Sequence, residues 1–175
     1  MVHPEVLPTP SISAANAIWT SHGQAIIQVP ATEAYSALRD FQSYSVWNKF
    51  TPSISTPSGT NNIELNDRIS ISYRADTREN TTSIPCRVTA VSDNDMTFAL
   101  RAWLPFVPEW LLVPEKVHKI TSRGEDECLY QVYETQSGVL AYAVKYWMGA
   151  KQSNMNQSIA DALKMHCEKT KRRTH

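Results

Sequence analysis

Apolar and polar residues alternate along the middle of the chain, from Leu65 to Gln136. A period of two is typical of β-strands with one buried face, and short polar turns separate the alternating stretches. Because short turns join consecutive stretches, we expect them to pair as an antiparallel meander. An earlier apolar run, residues 25–29, predicts one more strand, which Pro30 ends. The strands of the meander are predicted within residues 67–74, 83–92, 93–103, 116–122 and 128–136.

Helical spacing occurs before and after this region. The segment ATEAYSALRDF, residues 31–41, predicts a short helix with Thr32 as its N-cap. Residues 51–62 are rich in Ser, Thr, Pro, Gly and Asn and predict a loop. Residues 139 to about 169 contain no proline and a single glycine, Gly149, which predicts one long amphipathic helix. Its apolar stripe consists of Leu140, Val144, Trp147, Met148, Met155, Ile159, Leu163 and His166.

Together these elements predict an α+β fold in a single domain. A curved antiparallel sheet must bury its apolar face, and the C-terminal helix is the one element large enough to cover it. A twisted sheet around one helix seldom closes completely, so we expect an internal cavity suited to an apolar ligand. We place the domain at residues 19–169, after an extended leader (1–18) that we expect to be poorly ordered. A basic tail (170–175) follows, either solvated or a partner-binding or sorting signal.

Composition narrows the classes of function. Lys plus Arg and Asp plus Glu each number 17 in 175 residues, so no net charge favours nucleic acid or an anionic membrane. The three cysteines have no CxxC spacing, which indicates a reducing compartment. With no secretory signal pattern and no membrane-length apolar run, we expect a soluble cytoplasmic protein. HExxH, glycine-rich phosphate-loop and G-x-S-x-G motifs are missing, so we expect neither a metal nor another cofactor.

Three stretches resemble the START-like helix-grip superfamily, also called SRPBCC or birch-pollen-allergen-like proteins. VPATEAYSALRDFQSYSVWNKFTP is similar to its opening strand and short helices, and RVTAVSDNDMTFAL to paired strands. YQVYETQSGVLAYAVKYWMGAKQSNMNQSIADALKMHCEK is similar to its last strand and long helix. The resemblance covers about residues 20–168. It implies a curved antiparallel sheet around the C-terminal helix, two short helices after the first strand, and an internal hydrophobic cavity with residues 41–52 at its wide end.

The resemblance also implies which polar side chains face the cavity. Strand parity puts Tyr130, Val132 and Glu134 on one face, and similar proteins turn this face and that of His118 inward. A His and a Glu in one apolar cavity could act as an acid–base pair, because burial and mutual attraction shift both pKa values. The alternative is a buried hydrogen bond between them that only orders the sheet. By strand parity Arg101 faces away from Phe98, and we expect its side chain to be solvated.

Aromatic and apolar side chains supply the candidate ligand contacts. Tyr73 and Tyr130 could donate hydrogen bonds to a carbonyl or phenolate oxygen. The aromatics of residues 41–50 and the Trp-Met pair of the long helix either line the cavity or pack in the core. The predicted ligand-binding residues are Trp47, Phe50, Tyr73, Phe98, Leu100, Trp103, Phe106, Trp110, Tyr130, Val132, Trp147 and Met148.

The segment WLPFVPEWLLVPEK, residues 103–116, is too apolar for an ordinary surface hairpin, with three prolines and two tryptophans. One interpretation is a lid over the cavity mouth, with Trp103, Phe106, Trp110 and Leu111 in contact with ligand. A homodimer contact and a surface for a membrane or a partner are the two alternatives.

The resemblance leaves three functions open. The first is a cofactor-independent enzyme, resembling the superfamily's polyketide cyclases and dehydratases, that uses cavity shape and acid–base catalysis by His118 and Glu134. It would cyclise or dehydrate an apolar, oxygen-bearing molecule. The second is a non-catalytic carrier of a hydrophobic ligand such as a lipid, sterol or quinone. The third is a co-chaperone or stress-type interaction module. Polar groups inside the cavity favour the enzyme, whereas an entirely apolar lining would favour the carrier.

Overall fold

The computed structural model describes residues 6–74 and 80–174. Its strands are β1 (Ala17–Ile27), β2 (Ser53–Ser55), β3 (Arg68–Tyr73), β4 (Thr82–Ser92), β5 (Thr97–Ala102), β6 (Val113–Ser122) and β7 (Cys128–Ser137). Its α-helices are α1 (Ala31–Arg39), α2 (Tyr44–Trp47) and α3 (Ala141–Thr174), with a 3-10 turn at Phe41–Ser43 before α2. The predicted α+β order of elements is confirmed.

The seven strands form one antiparallel sheet in the order β1-β7-β6-β5-β4-β3-β2. Strands β3 to β7 follow one another as the predicted meander, and β1 pairs with β7 on the far side. β2 lies within the predicted loop at 51–62, where three residues pair with β3 at the edge of the sheet. The inner face of the sheet, α1, α2 and one side of α3 enclose the hydrophobic core.

Two helix boundaries differ from the prediction. Thr32 makes no capping hydrogen bond, because α1 already begins at Ala31 and Thr32 lies inside its first turn. α3 continues to Thr174, so the described part of the predicted tail is helical. No helix within residues 6–74 and 80–174 is both long and apolar enough to cross a membrane.

α3 packs mainly against β1, and the two backbones come very close at Gly23. A Cβ atom on Gly23 would lie 2.2 Å from the backbone carbonyl of Asn156, well inside van der Waals contact. Because the neighbour is backbone, no side-chain rotation can make room. The buried Asn156 amide also donates to the Ser21 hydroxyl at 2.9 Å, which fixes the helix on the strand.

We expect Gly23→Ala to lower the free energy of unfolding by about 3 kcal/mol, because α3 must move away from β1 to admit the methyl group. Urea unfolding followed by circular dichroism measures the change. Gly124→Ala is the matched control, since a Cβ there meets nothing within 4 Å and that variant should unfold like the parent protein. Equal stability of Gly23→Ala and the parent would contradict the close packing of α3 on β1.

The leader before β1 covers part of the outer face of the sheet. β1 begins at Ala17, inside the predicted leader, and the preceding residues reach across to β7. Leu7 donates its N–H to the Thr20 hydroxyl and accepts a hydrogen bond from the Thr135 hydroxyl. Residues 7–12 therefore pack against the sheet, unlike the poorly ordered leader that the sequence led us to expect, and residues 1–5 of the predicted leader lie outside the described residues.

A buried carboxylate anchors the same segment. Glu115 of β6 is fully buried on the outer face of the sheet. Its Oε2 accepts from the N–H and hydroxyl of Ser11, at 3.0 and 2.6 Å, and from the hydroxyl of Thr9. Its Oε1 accepts from the hydroxyl of Thr89. The leader thus supplies most of the hydrogen bonds that compensate for burial of this charge.

Candidate functional site

A cavity of about 140 Å³ lies between the inner face of the sheet and the helices. This volume is close to that of a cavity that holds one benzene ring, so a larger ligand requires the wall to move. No group of three or more His, Cys, Asp and Glu residues within the described ranges is arranged to hold a metal ion. The apolar lining is Ile54, Ile71, Ile84, Cys86, Leu100, Ala102, Leu104, Pro114 and Ile159, and the polar lining is Tyr44, Asn48, Thr51, Tyr73, Lys116, His118, Glu134 and Gln152.

Glu134 forms an ion pair with Lys116 in the cavity wall. Lys116 Nζ lies 3.2 Å from Glu134 Oε2, and both side chains are largely buried. The two residues are direct cross-strand partners in the β6–β7 register, which brings same-face side chains within reach. Gln136 donates to Glu134 Oε1 at 3.3 Å, and Gln152 of α3 donates to the same oxygen. The carboxylate therefore has an ammonium on one oxygen and two amides on the other.

His118 belongs to a different set of contacts. Its Nδ1 lies 2.8 Å from the Tyr130 hydroxyl, and its ring stacks on Phe98 with the ring centroids 4.7 Å apart. The strand register places Lys116, and not His118, opposite Glu134. No hydrogen bond joins His118 to Glu134 among the described residues, so the alternative of a His–Glu hydrogen bond that orders the sheet is wrong, although both side chains line the cavity as expected. Their catalytic roles stay predictions.

Burial keeps the His118–Tyr130 pair uncharged. Desolvation, with a contribution from the nearby Lys116 ammonium, lowers the pKa of His118 to about 3. Desolvation also raises the pKa of Tyr130 well above its usual value, and Tyr44 adds to this effect. His118 is thus a neutral imidazole near pH 7, and it carries no positive charge that could attract a carboxylate.

The low pKa of His118 should make stability depend on pH. A histidine in the unfolded chain binds a proton near pH 6.5, whereas folded His118 does so only near pH 3. Between these values the unfolded state binds more protons, so this contribution to stability is complete above pH 6.5 and is lost as the pH falls toward 3. The slope of the free energy of unfolding against pH should therefore be smaller in His118→Gln than in the parent. An NMR titration midpoint of the His118 imidazole above about pH 5 would contradict the assignment.

Seven of the twelve predicted ligand-binding residues fall into three groups. Tyr73 and Leu100 lie on the cavity wall, together with His118 and Glu134. Trp47 and Phe50 line a separate open pocket between α2 and α3, where Trp47 stacks on His166. The buried core residues beside the cavity are Phe98, Tyr130 and Val132.

The other five predicted contacts are exposed and lie away from the cavity wall, contrary to the prediction that they line the cavity. The loop at 103–112 turns its aromatic side chains outward, and Leu104 is its residue at the wall. Trp147 lies on the outer side of α3, in line with the exposed Lys151 and Asn154 at i+4 and i+7. Contact with a ligand at the surface stays a prediction for these side chains. Their exposed fractions are 62% for Trp103, 104% for Phe106, 69% for Trp110, 78% for Trp147 and 39% for Met148.

Among the polar residues of the cavity that sequence reasoning missed, Lys116 and Gln152 contact the Glu134 carboxylate. Lys116 precedes His118 by two positions in β6, so the parity that selected His118 selects Lys116 as well. Gln152 has no such signal, because its place depends on where α3 lies on the sheet. It reaches Glu134 from the helix and completes the set of groups around the carboxylate.

The exposed aromatics of the 103–112 loop adjoin the start of α3. Val139 donates its N–H to the Trp110 carbonyl, and Leu140 donates to that of Leu111. Val139, Leu140 and Tyr142 are also exposed, so the loop and the helix start share one apolar surface. Surfaces of this kind mark interaction sites in soluble proteins.

Trp110→Ala distinguishes the interpretations of residues 103–116. If the segment is a homodimer contact, the variant should sediment as a monomer where the parent protein sediments as a dimer. If the segment is a lid, the variant should bind ligand more weakly at an unchanged mass. Leu65→Ala, at an exposed apolar residue in the loop before β3, is the matched control and should change neither quantity. Unchanged mass and affinity in Trp110→Ala would contradict both interpretations.

Comparison with solved structures identifies the fold, although no family model matches the chain. A hypothetical protein of Helicobacter pylori has a TM-score of 0.74 at 15% identity, covering 95% of this chain and 98% of the other. A START superfamily protein from Mycobacterium smegmatis has a TM-score of 0.61 at 15% identity, covering 86% and 98%. The chain has the START-like helix-grip fold. The curved sheet, the paired short helices and the long C-terminal helix implied by the sequence resemblance are confirmed.

Two further comparisons are with proteins named for biosynthesis. The di-domain ARO/CYC BexL from the BE-7585A biosynthetic pathway has a TM-score of 0.62 at 9% identity, covering 83% of this chain and 46% of BexL. In sequence, the chain is 28% identical over 168 residues to the oxopyrrolidines biosynthesis cluster protein O of Penicillium oxalicum. That match covers 82% of this chain and 83% of protein O.

Proposed function

We propose that this helix-grip protein is a biosynthetic enzyme that binds a small, apolar, oxygen-bearing molecule in its cavity and promotes cyclisation or dehydration. The observation that carries the proposal is the Lys116–Glu134 ion pair on a largely apolar wall. Desolvating two charges is costly, and a site that only holds an apolar ligand gains nothing from them, whereas acid–base chemistry requires them. The names of protein O and BexL support a place in biosynthesis.

Glu134 acts as the base in this proposal. Its carboxylate takes a proton from a carbon next to a substrate carbonyl, and the Lys116 ammonium stabilises the negative charge that develops on the carbonyl oxygen. The resulting enolate carbon attacks a second carbonyl of the same molecule, and protonated Glu134 returns its proton to the new alkoxide. For dehydration, Glu134 takes a second proton from carbon, and the hydroxyl group leaves with that proton as water.

His118 contributes a neutral hydrogen-bonding group. When its Nδ1 accepts the Tyr130 hydroxyl hydrogen, its Nε2 carries a hydrogen and can donate to a substrate oxygen. Tyr130 contacts His118 rather than the cavity, so its part is to fix the tautomer and orientation of the imidazole. His118 therefore orients the substrate while the Lys116–Glu134 pair moves the proton.

The cavity restricts the size of the substrate. About 140 Å³ is below the roughly 300–1,000 Å³ of sites for drug-sized ligands. A substrate of about one ring fits without rearrangement. A larger molecule enters if Leu104 of the loop and Gln152 of α3, which both line the cavity, move aside.

The alternative function is a carrier of a hydrophobic molecule. It is favoured by the apolar majority of the lining and by the exposed aromatic surface around Trp110, which suits contact with a membrane or a donor protein. A carrier needs no proton transfer, so neutralising Glu134 would leave its ligand affinity nearly unchanged.

Native mass spectrometry of the protein purified from its own host, with identification of the extracted small molecule, tests the proposal. A compact ligand with carbonyl groups supports the enzyme and supplies a substrate for turnover assays. A phospholipid, sterol or quinone, released unchanged after incubation, would overturn the enzyme in favour of the carrier.

A further inference from the structure

A row of charged side chains crosses the outer face of the sheet, on the side opposite the cavity. In the strand register Arg68 of β3 is opposite Arg87 of β4, and Arg87 is opposite Arg101 of β5. Glu115 of β6 is the next member of the row, opposite Arg101. Directly opposite residues in an antiparallel sheet lie about 5 Å apart, and like charges in these positions are destabilising. An anion bound between the three arginines would therefore reduce the repulsion between their charges.

The carboxylates nearby neutralise this row only in part. Arg101 pairs with Glu109 at 2.6 Å, but the Glu109 side chain is 81% exposed on the 103–112 loop. The Glu115 carboxylate is already bonded to the leader and to the Thr89 hydroxyl. Among residues 6–74 and 80–174, Arg68 and Arg87 form no ion pair.

The same arginines line a groove of about 490 Å³. One side of the groove is the apolar loop, with Trp103, Leu104 and Val107, and Asn66 adds a polar group near the arginines. Trp103 is more than half exposed, so part of its indole is open for contact with a ligand. A volume of this size falls in the range of small-molecule sites. The groove therefore joins three guanidinium groups to an apolar wall.

We propose that this groove binds a small molecule bearing a phosphate or carboxylate group, with Arg68, Arg87 and Arg101 as the anion-binding residues. Guanidinium groups match both anions through paired N–H donors. The adjacent apolar part of the molecule packs on Trp103. The Glu109 carboxylate occupies the anion position next to Arg101 when no ligand is bound, and the ligand displaces it.

The dimensions of the row favour a small anion over a polyanion. Three arginines on adjacent strands span two strand spacings, about 10 Å, which matches one or two anionic groups. The groove lies on the opposite face of the sheet from the Lys116–Glu134 pair. This inference is therefore independent of the proposed enzymatic function, and either can fail without the other.

Isothermal titration calorimetry with pyrophosphate and with citrate tests the site. Arg87→Gln should weaken binding about 10-fold or more, because it removes a charge-assisted contact at the centre of the row. Glu109→Gln should tighten binding, because it removes the competing carboxylate. Arg123→Gln is the matched control: Arg123 pairs with Glu127 at the far end of β6, and its loss should leave the dissociation constant unchanged.

The two probes also distinguish the sources of the anion. Tighter binding of pyrophosphate assigns a phosphorylated ligand, and tighter binding of citrate assigns a carboxylated one. The proposal is overturned if neither probe binds the parent protein or Glu109→Gln at millimolar concentrations. It is also overturned if Arg87→Gln, folded by circular dichroism, binds as tightly as the parent, or if a single-stranded oligonucleotide binds and both small anions do not.

Discussion

Glu134→Gln is expected to lower turnover about 100-fold or more while the protein stays folded. The amide keeps the size of the side chain and its hydrogen-bonding oxygen toward Gln152, but it cannot take a proton from carbon. Ligand binding should change little, since most of the cavity wall is apolar. The measurement is product formation from the ligand identified in the native protein, with the dissociation constant determined in parallel by calorimetry.

Lys116 provides the second half of this test. Lys116→Met removes the ammonium and keeps a long apolar side chain, so turnover should fall by a similar factor because the developing oxyanion loses its partner. Lys119→Met is the matched control: Lys119 lies three positions along the same strand, exposed on the outer face. Turnover at the parent rate in both Glu134→Gln and Lys116→Met would contradict a catalytic role of the ion pair.

A variant that carries both Glu134→Gln and Lys116→Met shows whether the two residues act as a unit in catalysis or independently. If Glu134 and Lys116 act as a unit, removing both should cost little more than removing either, as is usual for groups that act together in catalysis. If the ion pair only stabilises the fold, the single variants should instead lose stability in urea while keeping their specific activity when folded. A catalytic and a purely structural role of the ion pair therefore differ both in the specific activity and in the urea stability of the single variants.

Alternation along the strands grouped the residues of each face correctly, and the family resemblance indicated which face is the inner one. The period of two in β6 and β7 puts His118 and Glu134 on the same side, and both line the cavity. Alternation does not fix how two strands are shifted against each other. One register places His118 opposite Glu134 and another places Lys116 there, and the structure has the second. The placement of His118 and Glu134 on the inner face could therefore be predicted, but their hydrogen-bonded partners could not.

The spacing of apolar residues along α3 did not predict which of them are buried, for a related reason. Apolar residues at three- and four-residue intervals define a stripe, but they do not show how far the sheet extends beneath the helix. Ile159 and Leu163 lie over the sheet and are buried, whereas Trp147 is 78% exposed near the beginning of the helix. The apolar loop at 103–112 is similar, because the sequence shows its hydrophobicity without showing which way its side chains point.

The anchoring of the leader had no clear signal in the sequence. Proline with serine and threonine is typical of irregular segments, and Glu115 occupies an outward-facing position of β6 where a charged residue is ordinarily solvated. Only the tertiary structure brings the hydroxyls of Thr9 and Ser11 to this carboxylate. The leader could thus be predicted as irregular, but not as packed.

Glu115→Ala is expected to lower the free energy of unfolding by about 3 kcal/mol. The side chain is fully buried, and its removal leaves the N–H of Ser11 and the hydroxyls of Thr9, Ser11 and Thr89 without their acceptor. Each buried donor that loses its partner costs about 1–3 kcal/mol, reduced where water enters or a hydroxyl finds another acceptor. Urea unfolding measures the total, and increased protease cleavage before Ala17 reports release of the leader.

A double-mutant cycle with Ser11→Ala shows whether the leader is the cause of the loss. If Glu115 stabilises the protein by holding the leader, both single variants lose the same contact. The sum of their two losses in the free energy of unfolding should then exceed the loss in the double variant by about 1 kcal/mol. Glu109→Gln is the matched control for the removal of a carboxylate, since Glu109 is exposed and its loss should change stability by less than about 0.5 kcal/mol. A Glu115→Ala variant as stable as Glu109→Gln would mean that the buried carboxylate does not hold the leader on the sheet.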